Sequence, residues 1–125
     1  MFLGIYFPGS AGYAPNVLPN RSAVKQAVVT ALDAFKAAGI RPDQGYFFTW
    51  DPALIVVEAL EKLGFDATPA QIRQFIASYH SVGIDGQFDF VGIPQRGVGI
   101  DSIIIVRWDP AKDTWVGVSK SGGRL

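Results

Sequence analysis

The sequence predicts a mixed α/β chain, and three observations carry that prediction. Residues 45–64 (GYFFTWDPALIVVEALEKLG) read as one long, mostly apolar helix. Two further stretches, residues 20–38 and 68–79, pair apolar stripes spaced by three and four with capping residues. After Gly83 the spacing of apolar residues falls to two, and two β-rich runs face each other across a proline-containing turn. The expected order is strand, three helices, strand and C-terminal β-hairpin.

Residues 2–7 (FLGIYF) form a short apolar run, read as a buried strand without an obvious parallel partner. Pro8, Gly9 and Gly12 then enforce a loop, and Pro15 and Pro19 keep the chain irregular to Asn20. Asn20 or Ser22 can cap the first helix, whose stripe is Val24, Ala27, Val28, Ala31, Leu32 and Phe35, with Gly39 just past its end. Lys25, Asp33 and Lys36 are expected to face water, which makes this an amphipathic covering helix.

In the central stretch the pair Asp51-Pro52 marks a helix start. Asp51 can accept a first-turn amide, and proline suits the first helical position because its missing N–H is not needed there. From residue 53 to 60 only Glu58 is charged, so the helix is expected to be buried on several sides. Gly64 supplies the positive φ that ends it. On this reading Tyr46, Phe47, Thr49 and Trp50 sit at the helix mouth, where unpaired amides suit a polar or anionic ligand group. The plainer alternative, favoured by composition, is that the rings plug the core.

Thr68-Pro69-Ala70-Gln71 is a capping box with proline at the first helical position, opening a helix to about Tyr79 that buries Ile72, Phe75 and Ile76. His80 is placed at its end, where histidine commonly stabilises the terminus. Residues 87–91 (QFDFV) alternate and read as a strand with Phe88 and Phe90 on one face. The glycine-rich residues 92–99 lead to SIIIVRW (102–108) and TWVGVS (114–119), joined by Asp109-Pro110-Ala111-Lys112-Asp113. Three consecutive isoleucines put apolar groups on both faces of the first of these strands. The layout reads as missing part of its own core.

Composition narrows the function classes. Of 125 residues 49% are hydrophobic and 18% charged, and eleven basic residues cancel eleven acidic ones. A neutral chain without a basic stripe is a poor ligand for nucleic acid or an anionic membrane surface. The absence of cysteine removes disulfides, thiolate metal sites and thiol nucleophiles. Residues 1–3 lead into a strand-like run without a basic segment before it, so no export signal is read. Gly97-Val98-Gly99 lacks the third glycine of a dinucleotide loop and precedes a strand rather than a helix. A bending crossover is the better reading of it. Asp109 and Asp113 lack calcium-loop spacing. Asp85 and Asp89 could pair as acids, but no nucleophile or base stands near them in sequence. The expectation is no catalytic residue, no metal site and no cofactor.

Three stretches together resemble a known family. GYFFTWDPALIVVEALEKLG is similar to the helix that type I periplasmic solute-binding proteins write with a Tyr-Asp-Ala start. Gly83-Ile84-Asp85-Gly86-Gln87-Phe88-Asp89-Phe90 resembles their Gly-x-x-Gly-x-x-x-Phe strand. PQRGVGIDSIIIVRWDPAKDTWVGVS resembles their closing hairpin, in the branched-chain amino acid or extracellular ligand-binding receptor group. The resemblance covers nearly all of this chain but only the closing portion of a family member. It implies two α/β lobes joined by three crossover strands, with the solute in the cleft between them. Residues 9–91 would belong to the N-terminal lobe and 100–125 to a C-terminal-lobe hairpin, with crossovers near 6–8 and 90–99. Most of both lobes would then precede Met1.

What the resemblance implies for function is a solute-binding component of an ABC transporter. It would bind a branched-chain amino acid or a related organic or aromatic acid, work with a membrane permease, and reside in the periplasm or outside the cell. Tyr46, Phe47, Thr49 and Trp50 would line the cleft, and Pro8, Gly9, Gly97 and Gly99 would act as hinges. The chain departs from the family pattern with Trp50 in place of tyrosine and Pro52 after Asp51. A second reading is a small self-associating module in which two copies exchange strands to complete each other's core. A small enzyme is the least favoured reading, because no catalytic set is present.

Overall fold

The computed structural model describes residues 3–6 and 18–125. In chain order the elements are β1 (Leu3–Tyr6), α1 (Ala23–Ala37), α2 (Gln44–Leu63), α3 (Pro69–Ala77), β2 (His80–Val82), β3 (Gln87–Asp89), β4 (Ile104–Asp109) and β5 (Thr114–Gly117). This is a mixed helix and strand chain with three α-helices and two small antiparallel sheets. One sheet has the order β1-β4-β5 and the other is the β2–β3 hairpin.

Local signals explain α1 and α3. The Ser22 side chain accepts the Lys25 amide at 3.1 Å, which selects Ser22 over Asn20 as the cap. The stripe lands as spaced: Val28, Ala31 and Phe35 are buried, and Val24, Ala27 and Leu32 pack beside them. Gly39 follows with φ +69. In α3 the capping box forms in both directions, with the Gln71 side chain accepting the Thr68 amide at 2.8 Å. The helix ends at Ala77, and Ile72, Phe75 and Ile76 are half-buried rather than buried.

The start of α2 is a correction. Asp43, not Asp51, caps it, accepting the amides of Gly45 at 2.9 Å and Tyr46 at 3.3 Å. Pro52 therefore lies inside the helix and contributes no N–H to its ladder. The helix is held through this weak point by packing. The rings of Phe47 and Trp50 lie 5.8 and 5.0 Å from that of Phe35, centroid to centroid. A core of Leu18, Val28, Ala31, Phe35, Phe47 and Ile84 joins α1, α2 and the β2–β3 hairpin. Nor is α2 buried on several sides, because Val56 and Val57 are exposed.

His80 is also corrected. It does not end a helix but opens β2, facing Asp89 of β3 with Nδ1 3.2 Å from Oδ1. The expected strand at 87–91 stops at Asp89, although the Phe88 and Phe90 rings do stack at 6.0 Å.

β1 finds an antiparallel partner in β4, with Tyr6 opposite Ile104. The closing hairpin forms as read. Trp108 and Trp115 face each other across β4–β5, and the turn is held by the Lys112 amide on the Asp109 carbonyl and the Ala111 amide on the Asp109 side chain. Ile104 and Val106 are fully buried, whereas Ile105, on the opposite face, is only half-buried.

Candidate functional site

Two elements meet at one side chain. Asp51 sits two turns into α2 and is 2% exposed, with its carboxylate against the tip of the β2–β3 hairpin. There it accepts the Ile84 amide at 3.0 Å and the Asp85 amide at 2.8 Å. The tip closes on itself through the Gly83 amide and the Gly86 carbonyl at 2.9 Å. Only glycine fits at position 83, since a Cβ there would come within 2.3 Å of Asp51 Oδ2. Burial raises the Asp51 pKa, and the two amide bonds oppose that rise.

Asp85 lies beside it, also buried, and its Oδ1 has no hydrogen-bond partner. Burial, with the neighbouring Asp51 charge, pushes its pKa up to about 7. Asp85 is thus half protonated near neutral pH. The Asp85–Asp89 pairing considered from sequence is replaced by an Asp51–Asp85 neighbourhood, and Asp89 is instead engaged with His80 and the Val91 and Gly92 amides.

Next to this clamp is a cavity of about 260 Å³ enclosed by α1, α2, Tyr79 and the β2–β3 hairpin. Trp50, Leu54, Ile55 and Phe88 supply apolar wall. The polar groups at its edge are Thr30, Ser81 and a linked pair in which the Tyr79 hydroxyl donates to Glu58 Oε2 at 2.6 Å. Glu58 is further paired with Lys62 at 2.6 Å, one turn on. The Lys62 hydrogen bond, then that of Tyr79, holds the Glu58 carboxyl below its ordinary pKa. Burial, then the bond to Glu58, pushes the Tyr79 hydroxyl up. Glu58 is therefore a fixed anion at the edge of an apolar hollow. No lysine or arginine lines that hollow among the described residues.

The sequence-derived site residues do not converge. Trp50 alone of the four lines the cavity. Phe47 is 1% exposed and belongs to the core. Tyr46 points outward, 45% exposed, with one edge against Phe35. The exposed Thr49 bonds back to the Gly45 and Tyr46 carbonyls. The reason is the early start of α2, which spreads consecutive residues around the helix instead of gathering them at its mouth.

Of the four hinge residues, Pro8 and Gly9 lie outside the described residues. Gly97 has φ +72, with the Phe90 ring where a Cβ would be, and its carbonyl and amide tie to Asp89 and Ile93. Gly99 is extended. Beside these turns, residues 92–103 border a second hollow of about 770 Å³ that includes Arg96 and Asp101. Both of those side chains are exposed, so the smaller cavity has the better-fixed polar groups.

Sequence reasoning missed Glu58 and Tyr79 as a pair. The available signal was that Glu58 is the lone charge between residues 53 and 60, on an otherwise apolar helix. Among the described residues no three of His, Cys, Asp and Glu cluster as a metal site, and no helix is long and apolar enough to cross a membrane. No protein-family profile, no curated protein and no solved structure matches this chain.

Proposed function

We propose that the chain is a non-catalytic binding unit for a small organic solute, held in the cavity between α1, α2 and the β2–β3 hairpin. The observation that carries this reading is the chemistry of the cavity. An apolar wall built on Trp50, Leu54 and Phe88 surrounds one anionic acceptor, Glu58, whose position is fixed by Tyr79 and Lys62. Binding sites characteristically combine predominantly apolar walls with a few placed polar groups. At about 260 Å³ the space suits a solute smaller than a drug-sized ligand. With an acceptor and no cation on the wall, it favours the amine end of a branched-chain or aromatic amino acid over a carboxylate.

The transport role rests on the three sequence stretches that resemble type I solute-binding proteins. In that reading α1–α3 and the β2–β3 hairpin belong to one lobe, and the β4–β5 hairpin to the other. The solute is delivered to an ABC-type permease from the periplasm or cell exterior.

The test is titration of this chain with leucine, phenylalanine, phenethylamine and benzoate, followed by tryptophan fluorescence and by amide chemical shifts. Amine-bearing solutes are expected to bind weakly, near millimolar, or about −4 kcal/mol. They should shift Ser81 to Ile84, and benzoate should not bind. Silence from all three amines up to saturating concentration would overturn the reading.

A further inference from the structure

The face of α2 turned away from the core is apolar along its whole length. Thr49, Ala53, Val56, Val57, Leu60 and Leu63 recur at intervals of three and four, which places them on one side of the helix. Val56, Val57 and Leu63 are 42%, 50% and 39% exposed. The four charged residues of α2 are off this stripe: Asp51 is turned to the hairpin, Glu58 and Lys62 pair beside Tyr79, and Glu61 lies at the margin. An uninterrupted apolar stripe of this length marks a surface that is covered in use.

We propose that the occupant is a second copy of the chain, with α2 packed antiparallel on α2 about a two-fold axis at Val56. Three features favour this occupant. The stripe has no charge for an ionic partner to recognise, and the chain is neutral overall, so two copies do not repel. The missing basic flank disfavours a membrane surface, which interfacial helices grip with lysine and arginine.

The order of sizes is the third feature. Small side chains, Thr49 and Ala53, occupy the first half, and Leu60 and Leu63 the second. Antiparallel pairing sets small against large and opposes the helix dipoles, whereas parallel pairing sets leucine on leucine. A 20-residue helix is about 30 Å long and about 10 Å wide, so each copy contributes on the order of 300 Å² of footprint. Stable dimers use about 800 Å² per partner. The dimer is therefore weak and reversible. It is distinct from strand exchange, because β1 already pairs with β4 of its own chain.

The chain has no cysteine, so introduced ones report without interference. Under mild oxidation, Thr49→Cys mixed with Leu63→Cys should cross-link at least several-fold more than either alone, and Val56→Cys should link to itself. In sedimentation equilibrium Val57→Glu should weaken self-association tenfold or more. It should leave the melting temperature of the dilute protein unchanged, since glutamate is a good helix former on an exposed face. A wild-type monomer at every concentration would overturn the proposal, as would self-linking at position 49 equal to the mixed product. A dimer indifferent to Val57→Glu would place the contact elsewhere. A lower dilute melting temperature in that variant would show the stripe covered by its own chain. Flotation of the wild type with neutral vesicles in place of self-association would assign the stripe to lipid.

Discussion

The Asp51 carboxylate in the second turn of α2 accepts the backbone amide of Asp85 at 2.8 Å, so one buried acid positions the loop that carries another. The same carboxylate takes the Ile84 amide, and Ile84 is 1% exposed in the core. Helix, hairpin tip and core are thereby tied through one side chain.

Asp51→Ala should therefore be among the most damaging single changes in the chain. It strands two buried amides, and hydrogen bonds to a charged group are worth about 1.5–3 kcal/mol each. Chemical denaturation is expected to show a loss of about 3 kcal/mol or more. Asp51→Asn retains an acceptor oxygen and should fall between the two. Equal stability of wild type and Asp51→Ala would mean the clamp holds nothing.

Stability should decline as pH rises from about 4 to about 7. Asp85 goes from an ordinary 3.8 to about 7 in the fold, so the native state keeps a proton that the unfolded chain releases across that interval. The raised pKa of Asp51 acts in the same direction. At about 1.4 kcal/mol per pKa unit the Asp85 contribution has an upper bound near 4 kcal/mol. Asp85→Asn should flatten most of the slope in a series of melts between pH 4.5 and 8. A slope that survives intact in this variant would assign the dependence to other groups.

Two glycines with nearly the same backbone should respond differently to alanine. Gly39 and Gly97 have φ +69 and +72, so each substitution carries about 1–2 kcal/mol of left-handed strain. Around Gly39 there is open space, whereas at Gly97 a Cβ would lie 2.6 Å from the Phe90 ring. Crowding of that kind adds about 1–3 kcal/mol. Thermal melts should rank Gly97→Ala well below Gly39→Ala, and equal losses would mean that Phe90 moves aside freely.

Phe47 and Trp50 should separate stability from binding. Phe47→Ala removes a fully buried ring and is expected to cost about 3–5 kcal/mol. Trp50 is half-buried and lines the cavity, so Trp50→Ala should cost less and abolish the solute response. Calorimetry on both variants decides this, and an unchanged solute affinity in Trp50→Ala would return that ring to the core alone.

Short-range signals were legible in the sequence because their partners are near neighbours along the chain. Ser22 with Lys25, Thr68 with Gln71, and Asp109 with Ala111 each form within three residues, and each cap or turn lies where the sequence places it. The mixed class, the α1 stripe and the β4–β5 hairpin follow from the same local spacing and turn chemistry. The tertiary structure alone decided where α2 begins and what surrounds its aromatic residues. Asp51-Pro52 is a strong local start signal, yet Asp51 is drawn away to amides 33 and 34 residues distant. Its burial there, with the packing of Phe47 and Trp50 on Phe35, carries the helix back past the proline to Asp43. A cap reads one turn of chain, whereas the Glu58–Tyr79 pair, the Asp51 clamp and the cavity between them exist only once segments more than twenty residues apart have packed together.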